Sequence, residues 1–185
     1  MYYYVEKKDS KLIGKLESND SICSDNFIEV TEEQYNLIKI PYNVMDNIFD
    51  IQHIIDTQNQ ESFILEKNNL IIKSKNLLAE YLQSNPLLFT DGKYYSVTQE
   101  KQNLLNNAIT VYQMKIQLGI PAELKWNSTG EECTIWTLED ITALALAISE
   151  YVEPLVTYQQ AIEVQIRNCT TREELESVVI DYATV

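Results

Sequence analysis

Apolar and polar positions alternate over the first thirty residues of the chain, then give way to a three-and-four spacing that persists to the end. Alternation marks half-buried strands, whereas the longer spacing marks helices with one apolar face. Tyr2–Glu6 and Lys11–Leu16 are rich in Tyr, Val, Ile and Leu, and the polar Lys7-Lys8-Asp9-Ser10 between them suits a hairpin. Ser18 to Asn26 reads as polar loop, and Phe27-Ile28-Glu29-Val30 as a short strand. It runs into Thr31-Glu32-Glu33-Gln34, a T-x-x-Q capping box, with Val30 placed to staple onto Tyr35. Pro41 disfavours helical geometry at Ile40, so that helix is short.

The middle of the chain is helical in pattern. Val44, Ile48, Ile51 and Ile55 lie on one face of a predicted helix over 43–56. Asp56-Thr57-Gln58-Asn59 predicts a break, and a second helix follows from about Glu61 to Gln83. Its apolar pairs Phe63/Ile64, Leu70/Ile71 and Leu77/Leu78 recur every seven residues, followed by Tyr81/Leu82. Lys67 and Ser74 fall where a coiled coil needs its alternate apolar rung, so a helix packed on a neighbour fits better than a free-standing coiled coil. Phe63, Leu70, Ile71, Leu77, Leu78 and Tyr81 are therefore the candidate interface.

Asn85-Pro86 ends this segment, and Asp91-Gly92 predicts a tight two-residue hairpin turn between Leu87–Thr90 and Lys93–Val97. Ser96 or Thr98 caps a helix whose face is Leu105, Ile109, Tyr112 and Ile116, and Gly119 with Pro121 stops it. Ala122–Trp126 and Glu132–Trp136 form a second hairpin. Thr137 opens a long helix that stays in phase across Pro154 through Ile141, Ala145, Ile148, Val152, Leu155, Ile162 and Ile166. Thr170-Thr171-Arg172-Glu173-Glu174 caps a last helix carrying Leu175, Val178 and Val179. The fold expected is α+β and mostly α. It comprises a β-hairpin head over 1–40, a helical connector over 41–85, and a helical domain with two short hairpins over 86–185.

Composition narrows the partners. The 185 residues are 45% hydrophobic and 23% charged, which suits a folded chain. The net charge of -14 divides as -6 over 1–60, +1 over 61–120 and -9 over 121–185. Acidic ends repel phosphate backbones, so no nucleic acid partner is expected, and the neutral middle is the part suited to pack on another chain. Cys23, Cys133 and Cys169 are widely spaced and form no C-x-x-C, so they read as small, partly buried hydrophobes. Met1-Tyr2-Tyr3-Tyr4-Val5 is followed by charge, unlike a signal peptide, and no apolar run reaches the ~20 residues of a membrane span. Synthesis in the cytosol and no membrane partner are expected.

Candidate chemistry is sparse. His53 follows Asp46 and Asp50 on the polar side of its helix, a pattern that reads as a solvated face in preference to a metal site. The four glycines are isolated and form no phosphate loop, and no nucleophile elbow is present. Glu131-Glu132 and Glu139-Asp140 stand at a turn and a helix start, where capping accounts for them. Tyr2, Tyr3, Tyr4, Tyr94, Tyr95, Trp126 and Trp136 can stack on a sugar, but core packing explains them without a ligand. No catalytic residue, metal or cofactor is expected.

A resemblance adds direction. The ordered motifs are Gly92-x-Tyr94-Tyr95-Ser96-Val97-Thr98, Asn103-Leu104-Leu105-Asn106-Asn107-Ala108-Ile109, Leu124-Lys125-Trp126, Leu138–Leu144, Ile148–Val152 and Cys169–Val178. Together they resemble a C-terminal domain of phage tail-fibre-associated proteins. Met1–Tyr4 and Phe27–Ile38 are similar to the start of short proteins encoded beside tail-fibre genes. The resemblance implies a non-enzymatic part of a phage or phage-tail-like particle, in the tail-fibre or baseplate region, bound to other tail proteins or to further copies of itself. A fibre-assembly chaperone absent from the finished particle, and a receptor-glycan binding module, are the alternatives.

Overall fold

In the computed structural model, which describes residues 1–44 and 49–185, the first unit is built on a four-stranded antiparallel sheet. β1 (Tyr2–Lys8) and β2 (Lys11–Ser18) form the expected hairpin, each strand longer than its alternation suggests. β3 (Phe27–Val30) adds to the other edge of β1. α1 (Glu32–Leu37) follows, with the full capping box: Gln34 N–H donates to Thr31 Oγ1 and Thr31 N–H to Gln34 Oε1, each at 3.1 Å. The two-residue β4 (Tyr42–Asn43) then pairs with Lys11 and Leu12. So short a strand carries no periodicity, which is why only the partner strand reveals it.

α2 (Ile51–Ser84) is one helix of 34 residues, not two. Asp50 caps it, accepting from His53 N–H at 3.1 Å. The expected break at 56–59 is absent because Gln58 is held by backbone. It accepts from Lys39 N–H at 2.9 Å and donates to Lys39 O at 2.7 Å, a pairing that allows an amide to be buried inside a helix. The expected start at 43 also moves, since Val44 is buried but not helical. Ile48 and Asp46 lie outside the described residues.

The chain separates into two compact units, Met1–Glu66 and Lys67–Val185, and the division falls within α2. The sequence suggests boundaries at 40 and 85 instead. The reason is visible in the first core, where Val5, Leu12, Val30, Ile38 and Val44 are joined by Ile51, Ile54 and Ile55 from the first turns of α2.

The second unit holds the remaining turns of α2, two small hairpins and three helices. β5 (Leu87–Leu88) pairs with β6 (Tyr94–Tyr95) through a three-residue loop instead of two. Gly92 N–H donates to Phe89 O at 3.0 Å and Phe89 N–H to Lys93 O at 2.9 Å, with Gly92 at φ +79. This is a type I turn closed by a glycine bulge.

α3 (Gln99–Gln117) is capped by Thr98 and ends in a Schellman motif. Gly119 at φ +68 donates to Ile116 O, and Ile120 N–H reaches Lys115 O at 2.8 Å. β7 (Leu124–Trp126) and β8 (Thr134–Trp136) form the second hairpin. α4 (Leu138–Asn168) runs unbroken through Pro154, with Thr137 as its cap. α5 (Arg172–Glu176) is capped by Thr171 paired with Glu174, one residue later than Thr170, and it ends before Val178. A 3₁₀ turn over Tyr182–Thr184 closes the chain.

The core of this unit gathers Leu82, Tyr95, Val97, Leu105, Leu124, Ile141, Leu144, Ile148, Val152, Leu155 and Tyr182. The architecture is α+β and mostly α, as expected.

Candidate functional site

The polar rungs of the α2 heptad acquire partners within the second unit. Lys67 Nζ donates to Arg167 O and Cys169 O, both at 2.7 Å, which satisfies carbonyls at the C-terminal end of α4 and places a cation there. Ser74 is fully buried, with its Oγ 3.0 Å from Tyr182 Oη, and that hydroxyl also lies 3.0 Å from Ser74 O. Lys75 pairs with Glu163 at 3.1 Å. Tyr151 donates to Asn85 O at 3.2 Å. The links from Lys67, Lys75 and Asn85 ascend α2 while descending α4, so these two helices are tied antiparallel.

Glu163 also accepts from Arg167 at 2.7 Å; first Arg167 and then Lys75 hold its carboxyl down at about 2.

The six candidate interface residues therefore do not form a free face. Ile71 is buried, while Leu77, Leu78 and Tyr81 pack against the core of the second unit. Phe63 and Leu70 are half-buried. Of the apolar residues that the heptad spacing offers to another chain, Leu77, Leu78 and Tyr81 are used within the second unit instead. The large apolar residues of α2 that remain exposed are Ile64, Leu65 and Ile72.

The two hairpins of the second unit carry a cluster of polar contacts. Tyr95, 2% exposed, donates to Asp91 Oδ2 at 2.7 Å, and burial together with this carboxylate pushes its hydroxyl pKa well up. Lys93 and Glu131 pair at 2.5 Å, which raises the lysine and lowers the carboxyl. Glu131 also accepts from the buried Ser128 at 2.8 Å, and Thr129 N–H donates to Tyr94 O at 2.8 Å. The Lys93–Glu131 and Thr129–Tyr94 bonds tie one hairpin to the other, while Tyr95–Asp91 and Ser128–Glu131 brace each hairpin from within, so these acids have structural partners. A hollow of about 210 Å³ beside them is lined by Ser96, Lys101, Trp126 and 127–130.

The aromatic rings are likewise engaged. Tyr95 meets Phe89 and Trp136 edge-on, at 5.9 and 5.7 Å between centroids, and Lys101 lies 5.6 Å over Trp126. In the first unit Tyr4 is buried, Tyr2 stacks on it, and Tyr3 packs on Tyr35. Tyr2 and Tyr94 are exposed.

His53 is exposed, and its link with Asp50 is a cap bond. Cys23 and Cys133 are exposed, unlike the small hydrophobes expected, while Cys169 is buried and donates to Gln165 O at 3.3 Å. Among the described residues no three His, Cys, Asp or Glu side chains stand together to hold a metal. No helix among them is long and apolar enough to cross a membrane.

The model of a family described as a domain of unknown function, DUF4376, matches residues 79–184, more than half of the chain. The chain belongs to this family. No curated protein and no solved structure matches it. The DUF4376 span opens just before Tyr81 and Leu82 in the last turns of α2 and includes both hairpins and α3 to α5.

Of its two long helices, the less covered is α3. Leu105 is the one fully buried residue there, Ile109 and Tyr112 are half-buried, and every residue from Gln113 to Ile120 is exposed. Ile116, expected in the core, is 52% exposed because the helix extends past the elements that would cover it. Leu104, Val111, Met114, Leu118 and Ile120 add to this apolar surface. The sequence signal for it is a second set of apolar residues on α3, Leu104, Ala108, Val111 and Leu118.

Proposed function

We propose that the chain is a non-enzymatic structural component of a phage or phage-tail-like particle, in the tail-fibre or baseplate region, acting through protein–protein contacts. The observation that carries the contact role is the exposed apolar surface of α3 within the DUF4376 domain. Exposed apolar surface on one face of a helix, as at Leu104, Val111 and Leu118, marks interaction sites on folded proteins. The placement in a tail rests on the order of motifs from Gly92 to Val178, which resembles the phage domain described above.

Mass spectrometry of particles purified from the encoding organism tests this reading. The chain is expected at a level comparable to fibre and baseplate subunits. Particles that lack it while the producing cells contain it would overturn the structural role and favour an assembly chaperone.

A further inference from the structure

Along α3, Leu104, Ala108, Val111, Lys115 and Leu118 are separated by four, three, four and three residues. This heptad seam is distinct from the inward stripe of Leu105, Ile109, Tyr112 and Ile116, which lies about 100° further round the helix. Leu104, Val111 and Leu118 are 46%, 39% and 74% exposed. A groove of about 390 Å³ runs beside the seam, lined by Ala108, Val111, Lys115 and the segment 122–125 that leads into β7. We propose that this face of α3 is where a second copy of the chain docks, antiparallel, about a two-fold axis at Val111.

Charge and register select that occupant. The whole chain carries -14, yet between Gln102 and Ile120 the one charged side chain is Lys115. Two copies meeting here bring together a helix face with a single cation, and Glu123 at the edge of the groove is paired with Lys125 at 3.0 Å. In a parallel, in-register pair Lys115 faces Lys115, which is repulsive. In the antiparallel pair centred on Val111, Leu104 meets Leu118 and Val111 meets itself. Lys115 then lies over the small Ala108, its apolar stem on the seam and its ammonium in water. The seam is thus self-complementary in one direction, as a two-fold contact requires.

Leu104, Val111, Met114, Leu118 and Ile120 expose roughly 500 Å² of residue surface per copy, within a factor of two of the ~800 Å² per partner of a standard interface. The inference does not depend on a place in a tail particle, because sedimentation and particle composition fail separately.

Sedimentation equilibrium of the full chain up to ~100 µM is expected to show a dimer, with Val111→Asp weakening it by at least ~30-fold and leaving the circular dichroism unchanged. Cross-linking fixes the direction. In a Cys23→Ser, Cys133→Ser background, oxidised Val111→Cys is expected to link to itself. Leu118→Cys is expected to link only when mixed with Leu104→Cys. A wild type that stays monomeric, a Val111→Asp dimer of wild-type strength, or self-linking of Leu118→Cys would each overturn the proposal.

Discussion

α4 and α3 are both amphipathic helices of the same unit, and they meet opposite fates. α4 buries Ile141, Leu144, Ile148, Val152, Leu155, Gln159, Ile162 and Ile166 along one continuous stripe. α3 starts an equally regular stripe, but it is fully buried only at Leu105 and is open by Ile116. The difference lies in their neighbours. The last turns of α2, the hairpins and the terminal turn with Tyr182 lie over α4, whereas α3 extends past the body. Periodicity shows which face of a helix is apolar; it does not show whether anything lies over that face.

Stripping the cover from α4 is the strongest way to break the contrast. A fragment of residues 67–185 is expected to unfold cooperatively, while one beginning at 86 loses Leu82 and the half-buried Leu77, Leu78 and Tyr81. At ~2 kcal/mol for each large apolar side chain fully buried, the shorter fragment is expected to be less stable by more than ~4 kcal/mol in urea denaturation. Equal midpoints for the two fragments would mean that α2 is not what covers α4.

Next in size is a matched pair of truncations. Ile148→Ala, at 3% exposed, is expected to cost about 2–5 kcal/mol. Ile116→Ala, in the same register on the open helix, is expected to move stability by less than ~0.5 kcal/mol. Similar losses at both positions would show that α3 is covered after all.

Ser74→Ala removes the buried hydroxyl that faces Tyr182 and is expected to cost about 1 kcal/mol, read from the same denaturation curves. No change would mean that the bond from Tyr182 to the Ser74 carbonyl is sufficient alone.

The smallest effect sharpens the surface tie between α2 and α4. Glu163 titrates at about 2 in the folded chain, below its ordinary 4.5, because Arg167 and Lys75 favour the charged form. Its contribution is therefore complete above about 4.5 and is lost as pH falls towards 2. Glu163→Gln is expected to flatten that part of a stability–pH curve measured between those values. An unchanged acid limb would show that other carboxylates account for it.

Much of the fold was legible because it is local. The Thr31–Gln34 box, the caps at Thr98 and Thr137 and the Gly119 stop each rest on hydrogen bonds between residues a few positions apart. The candidate interface was less legible. Lys67 and Ser74 look like defects in a heptad, and only their partners at Arg167, Cys169 and Tyr182, about a hundred residues away, show that the seam is used within the chain.

The sequence by itself determined most of the strands and helices, how most helices start and stop, and which faces are apolar, since neighbours within one or two turns settle those matters. The tertiary structure decided the rest. Gln58 keeps α2 continuous because the backbone of Lys39 meets it, and Tyr42–Asn43 is a strand because β2 has an open edge there. Ile116 faces solvent because nothing in the second unit reaches over the end of α3. In each case the decisive group belongs to another element, and the free energy of burial depends on that group being present.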